Sequence, residues 1–168
     1  DMATADVQAP HAEQLVAIAG TSKTSHVQNL TFQGITFQNT DYNLVSVAGS
    51  RGKATAQAAT AFIAFGGDWH ASKYEIIDTL PGMVTVNGAD GIEFVGNTFK
   101  HAGADGIEMN NDVSETRIEG NLLSDVAGSA ITVGHPQHIY IGDGGTHAKF
   151  SPSVEGICKD IVVRNNVL

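Results

Sequence analysis

Residues 90–134, DGIEFVGNTFKHAGADGIEMNNDVSETRIEGNLLSDVAGSAITVG, contain one unit twice. Moved along by 24 residues, Phe94 falls on Ile118, Gly96 on Gly120, Asn97 on Asn121 and Phe99 on Leu123. Ile92 falls on Thr116, Ile107 on Ile131 and Met109 on Val133. Within each copy apolar and polar residues alternate, as in Ile92-Glu93-Phe94 and Ile107-Glu108-Met109. That period belongs to strands with one buried face rather than to helices. A repeat of this length built from short strands marks a solenoid, because a single unit cannot bury its apolar face without a neighbour stacked on it. A leucine-rich repeat would need leucines at fixed short spacings and a helical segment, and the unit has neither. The expected fold is all-β, a right-handed single-stranded parallel β-helix. The Gly-Asn pair should turn a corner, with glycine at positive φ and the asparagines forming an amide ladder from rung to rung.

Working outward, Leu30–Phe37 matches Ile92–Phe99 at an offset of 62, and Val45-Ser46-Val47 matches Ile107-Glu108-Met109 at the same offset. Alternation begins near Leu15, followed by a polar turn over Gly20–Ser25, whereas residues 1–14 have weak strand character and Pro10 disfavours a central strand. The register breaks between Val47 and Val84. The break is either an insertion or an irregular rung with Phe62–Phe65 as its strand, and the segment from Gly66 to Tyr74 reads as an exposed loop. A second interruption falls between Val133 and Ile161, with the extra residues inside His135–Gly156. Insertions this long in a solenoid gather on one face, often the binding face. About five rungs with two insertions are expected, in one domain over residues 1–168. Asp1 and Leu168 both fall inside repeating units, so the domain is expected to be a portion of a longer multidomain chain.

With 168 residues and 42% apolar residues the chain can bury a substantial core. Its net charge of −9 argues against nucleic acid or an anionic membrane as the partner. No apolar run approaches the ~18 residues of a membrane span. Cys158 is alone, so no intrachain disulfide can form.

The outward charges pair by rung: Glu93 over Arg117, and Glu119 near Arg164, as ordinary ladder pairs. Glycosidic hydrolysis needs two carboxyl groups ~5–9.5 Å apart. At a 24-residue step no acid lies on an acid, since Asp105 falls on Ser129, Glu108 on Thr132, Asp90 on Ser114 and His101 on Asp125. If the chain is an enzyme, its acids come from Asp105, Glu108, Asp143 and Glu155, with Asp68 a further loop carboxylate. A zinc reading of His135, His138, His147 and Asp143 fits no familiar spacing, so no metal and no cofactor is expected. Proton abstraction by a lyase would want more cations than the nine Lys and Arg here supply. For recognition, Trp69, His70 and Tyr74 offer a stacking surface for sugar rings, with Asp105, Glu108, His135, His138 and Tyr140 as further contacts. Asp105, Asn110, Asn111 and Asp112 flank a strand and read either as hydroxyl partners or as surface turn residues of no function.

The phrases VQNLTFQGITFQNTDYNL, GIEFVGNTFKHAGADGIEM and RIEGNLLSDVAGSAITVG resemble the β-helix repeats of bacterial carbohydrate-active proteins. These include β-helical carbohydrate-binding modules of xylan-binding type and β-helical glycoside hydrolases. The resemblance covers most of residues 15–168. It implies a non-catalytic module that binds a polysaccharide, a plant cell-wall glycan such as xylan, and is covalently linked to a carbohydrate-degrading enzyme. It also implies a secreted or cell-surface bacterial setting. The alternatives are the core of a glycoside hydrolase, and a phage tailspike or adhesin segment, which would form trimers.

Overall fold

The computed structural model describes residues 7–21, 24–42, 54–55, 60–65, 73–134, 139–141, 148–150 and 156–168; in 54–55, 60–65, 73–79, 139–141 and 148–150 it describes the backbone course. All regular structure among these residues is strand. The first rung holds β1 (Val16–Ala19), β2 (Val27–Gln28), β3 (Thr31–Gln33) and β4 (Thr36–Gln38). The strands β5 (Ala54–Thr55), β6 (Thr60–Phe65) and β7 (Lys73–Thr79) follow. The second rung is β8 (Gly82–Asn87), β9 (Ala89–Asp90), β10 (Glu93–Val95) and β11 (Thr98–Ala102). The third is β12 (Asp105–Met109), β13 (Val113–Ser114), β14 (Arg117–Glu119) and β15 (Leu122–Val126). The fourth begins with β16 (Ile131–Val133), passes through β17 (Ile139–Ile141) and β18 (Ala148–Phe150), and returns at β19 (Val162–Arg164).

Corresponding strands of successive rungs pair in parallel, in the manner of a β-solenoid. The sheets run β1-β8-β12-β16, β2-β9-β13, β3-β10-β14-β19 and β4-β11-β15. In the fourth rung, bridges from Lys159 to Ser114 and from Val167 to Leu122 extend the second and fourth sheets. The overlays hold residue by residue: Phe94 lies between Phe32 and Ile118, and Phe99 between Phe37 and Leu123. Side chains at every second position turn inward. Phe94, Phe99, Ile107, Met109 and Ile118 are fully buried in one continuous core. The rings of Phe32 and Phe94 stack at 5.1 Å, and those of Phe37 and Phe99 at 4.8 Å.

The corner between the third and fourth sheets explains the Gly-Asn pairs. Gly34, Gly96 and Gly120 occupy one column at φ near +60°, with Asn165 completing it in the fourth rung. Glycine takes this left-handed conformation without a Cβ clash. One residue further on, the Oδ1 of Asn97 accepts the N–H of Ile35 (2.9 Å), that of Asn121 the N–H of Asn97 (2.8 Å), and that of Asn166 the N–H of Asn121 (2.9 Å). Their Nδ2 groups donate back to the carbonyls of Phe32, Phe94 and Ile118. Backbone groups that a tight corner would leave unpaired are thereby satisfied inside the tube.

The described strands make four rungs. The Val45–Val47 strand, on which the expectation of a fifth rested, lies outside the described residues. β1 pairs directly with β8 and β3 with β10, so no further rung intervenes. The strand Phe62–Phe65 is part of β6, which runs antiparallel to β5 and β7 in a separate three-stranded sheet. The irregular-rung alternative is therefore replaced by an insertion. Lys73 and Tyr74, read from sequence as loop, open β7. Within the second interruption, β17 and β18 form an antiparallel pair.

Asn121→Ala should destabilise the protein by about 2–4 kcal/mol, because it strands the buried N–H of Asn97 and the carbonyl of Phe94 together. Exposed Gln33→Ala should change stability by less than about 0.5 kcal/mol. Thermal melts of both variants check this, and equal effects would remove the ladder from its structural role.

Candidate functional site

The first sheet carries two of the acids named from sequence, Asp105 and Glu108. Its inward side chains include Val84, Val86, Ile107 and Met109, while Thr85, Glu108 and Thr132 align on the other face through the pairings of β8, β12 and β16. Outward residues of a solenoid are usually wet, yet Glu108 is only 2% exposed; Asp105, in step with the inward Ile107 and Met109, is fully buried. Asp105 lies within β12 and is a buried residue, not a surface turn residue.

Each carboxylate is held by the neighbouring rungs. Glu108 leans toward the second rung, where its Oε2 accepts the N–H of Gly82 (3.2 Å) and the hydroxyl of Thr85 (3.1 Å). Its buried Oε1 has no hydrogen-bond partner among the described residues. Asp105 leans toward the fourth rung, where Oδ1 accepts the N–H of Ser129 and Oδ2 the hydroxyl of Thr132, both at 2.8 Å. Glycines make room for both: a Cβ on Gly82 would collide with the Cβ of Glu108, and one on Gly128 with Oδ1 of Asp105. Burial pushes the Asp105 carboxyl above its usual range; the bonds from Ser129 and Thr132 draw it down, and the nearby Glu108 charge raises it again. Such a carboxyl can hold a proton where an exposed aspartate would not.

The insertions bracket this sheet. The first enters after β4 and returns at Leu80, which is buried with Ala104 beside Tyr42. The second leaves after β16, and the backbone of β17 lies against that of β7. Tyr74 on β7 and Tyr140 on β17 therefore belong to strands that meet, although they are 66 residues apart in the chain. Trp69, His70, His135, His138, Asp68, Asp143, His147 and Glu155 lie outside the described residues. Asn110, Asn111 and Asp112 follow β12 at the next corner. Asn110 is 8% exposed, the N–H of Asn111 is held by Asn87 at 3.2 Å, and Asp112 is engaged by His26 at 3.2 Å. Among the described residues no group of three or more His, Cys, Asp and Glu is placed to hold a metal. Nor is any helix there long and apolar enough to cross a membrane.

The third sheet bears the expected ion pairs. Arg117 reaches Glu93 at 2.9 Å and Glu119 at 2.8 Å, and Arg164 reaches Glu119 at 3.0 Å. Arg117 holds the Glu93 carboxyl below its usual range, and Arg164 with Arg117 does the same for Glu119. These are half-exposed surface ladders with no further chemistry. Cys158 packs against the core, where burial raises its thiol.

One feature went unassigned in the sequence. Where the fourth sheet turns toward the first, an open groove of about 630 Å³ is lined by Gln8, Gln38, Asn39, Lys100, His101 and Asp125. Asn39, His101 and Asp125 form a column of left-handed residues, one per rung, and Nδ1 of His101 lies 2.6 Å from Asp125. The overlay of His101 on Asp125 was visible at the 24-residue step; the groove beside it was not. Compared with protein-family models, curated proteins and solved structures, the chain matches none.

A carboxyl raised on folding contributes stability fully present below about pH 4 and lost as pH rises through its higher folded value. Asp105→Asn keeps an acceptor for Ser129 and a donor for Thr132 without that loss. From about pH 4 to about pH 7 the melting temperature of the variant should gain on the wild type. Parallel curves would mean that Asp105 titrates normally.

Proposed function

We propose that this chain is a right-handed parallel β-helix that binds a polysaccharide along the flank between its two insertions, with a xylan-type plant cell-wall glycan as the ligand class. The observation that carries the reading is the meeting of β7 with β17, strands of the two insertions. It supports the reading by bringing together the strands that carry Tyr74 and Tyr140. The handedness follows from the strong preference of parallel strand crossovers for the right-handed path. Stacked rungs repeat the same outward position every ~4.8 Å, a spacing suited to a linear glycan lying along the stack. The adjoining groove adds amide, imidazole and ammonium groups that can hydrogen-bond sugar hydroxyls. On this reading the module works at or outside a bacterial cell surface, joined to a carbohydrate-degrading enzyme.

A second reading, the core of a glycoside hydrolase, is favoured by one observation. Asp105 and Glu108 share a strand, one carboxyl is held high, and the other has an uncommitted oxygen. Their burial and their divergence toward opposite rungs weigh against it.

Affinity electrophoresis on xylan, mixed-linkage glucan and pectin, with a reducing-sugar assay on the same panel, separates the two. Retardation without turnover is expected, with Trp69→Ala, Tyr74→Ala and Tyr140→Ala each weakening retardation by about tenfold, the loss of one stacked ring. Absence of retardation on all three would end the binding reading. Turnover abolished by Asp105→Asn or Glu108→Gln would establish the hydrolase instead.

A further inference from the structure

His26 stands at the corner between the first and second sheets, in the turn that precedes β2, with its side chain 13% exposed. Its Nδ1 lies 2.8 Å from Oδ2 of Asp90 at the end of β9, and its Nε2 lies 3.2 Å from Oδ2 of Asp112 just before β13. One ring from the first rung thus touches carboxylates of the second and the third. A neutral imidazole has one N–H and one bare lone pair, so it can serve only one of two carboxylates; the imidazolium serves both. Losing the proton sets a lone pair against an anion and leaves two aspartates facing each other without a cation between them.

We propose that His26, Asp90 and Asp112 form a pH-operated latch that holds the first rung onto the second and third while the ring carries both protons, and loosens it when one is lost. The surrounding groups fit this role. Ser114 of β13 donates to Asp90, and Gln28 of β2 also bonds it. Lys159 of the fourth rung is the ladder partner of Ser114. Asp160 follows it, and neither bonds the ring. The hydrogen bond that the ring donates to Asp90 is the largest influence on it and raises its proton affinity, with burial opposing it. The latch is therefore fully set below about pH 6.5 and released as pH rises through a higher folded value. Asp90 is itself held below the usual aspartate range, first by Ser114 and then by His26. Its contribution is present above about pH 4 and fades only in stronger acid.

Two amides lie where release would register. The N–H of Val27 bonds the carbonyl of Gly88 at 3.1 Å, and that of Asn29 bonds Asp90 at 3.0 Å. Arg117, whose N–H bonds Ile92 at 2.9 Å, supplies a control on the third rung. Hydrogen exchange on the whole chain, corrected for intrinsic rates, should show protection of Val27 and Asn29 falling about tenfold relative to Arg117 between about pH 5.5 and pH 8.5. His26→Gln should abolish that difference. Independently of any variant, the wild-type ring followed by nitrogen chemical shifts should titrate above 6.5 and carry protons on both nitrogens in acid. A ring titrating at or below 6.5, or protection at Val27 and Asn29 that tracks Arg117 across the range, would overturn the latch.

Discussion

Asn97, Asn121 and Asn166 each take up the backbone N–H of the rung before and return a hydrogen bond to a carbonyl of that rung. A corner this tight cannot satisfy its own polar groups, and burying them unpaired would cost about 1–3 kcal/mol each. The ladder solves this only if successive rungs are in strict register, so it fixes the vertical alignment of the rest. Phe32 then falls under Phe94, Ile118 above it, and their side chains join one core cluster. Outward positions align for the same reason, which is why Thr85, Glu108 and Thr132 share one column and Glu93 meets Arg117.

Two acids of the third rung show how far the surroundings decide chemistry. Glu119, on the third sheet, sits among half-exposed arginines and is held in its ionised form. Asp105, on the first sheet, is buried near another carboxylate and is pushed toward the neutral form. A repeat makes the rungs alike in backbone, while the insertions leave the stack on either side of one sheet only. The departure from sameness is where a solenoid can keep a site.

The fold was largely legible because the repeat is physical. Alternation gave the strands, the 24-residue step gave Phe94 over Ile118, and the Gly-Asn pairs gave the ladder. The pairing of β1 with β8 was not found, because its offset is 68 where the third sheet has 62. The difference arises in the first corner, where six more residues separate β1 from β2 than separate β8 from β9; His26 lies among them. β6 was ambiguous because an apolar strand reads alike in a parallel rung and an antiparallel insertion. The burial of Glu108 was hidden for another reason. Alternation assigns a side chain to a face and carries no information on what lies above that face.

The central claim is that units 24 residues apart are vertical neighbours in one tube. Nuclear Overhauser contacts on protein labelled at phenylalanine rings and isoleucine methyls test it most directly. The account predicts strong contacts from the ring of Phe94 to both the ring of Phe32 and the δ-methyl of Ile118, and from Phe99 to Phe37. A spectrum in which Phe94 and Ile118 share no contact would contradict the stacking, and with it every site placed by register.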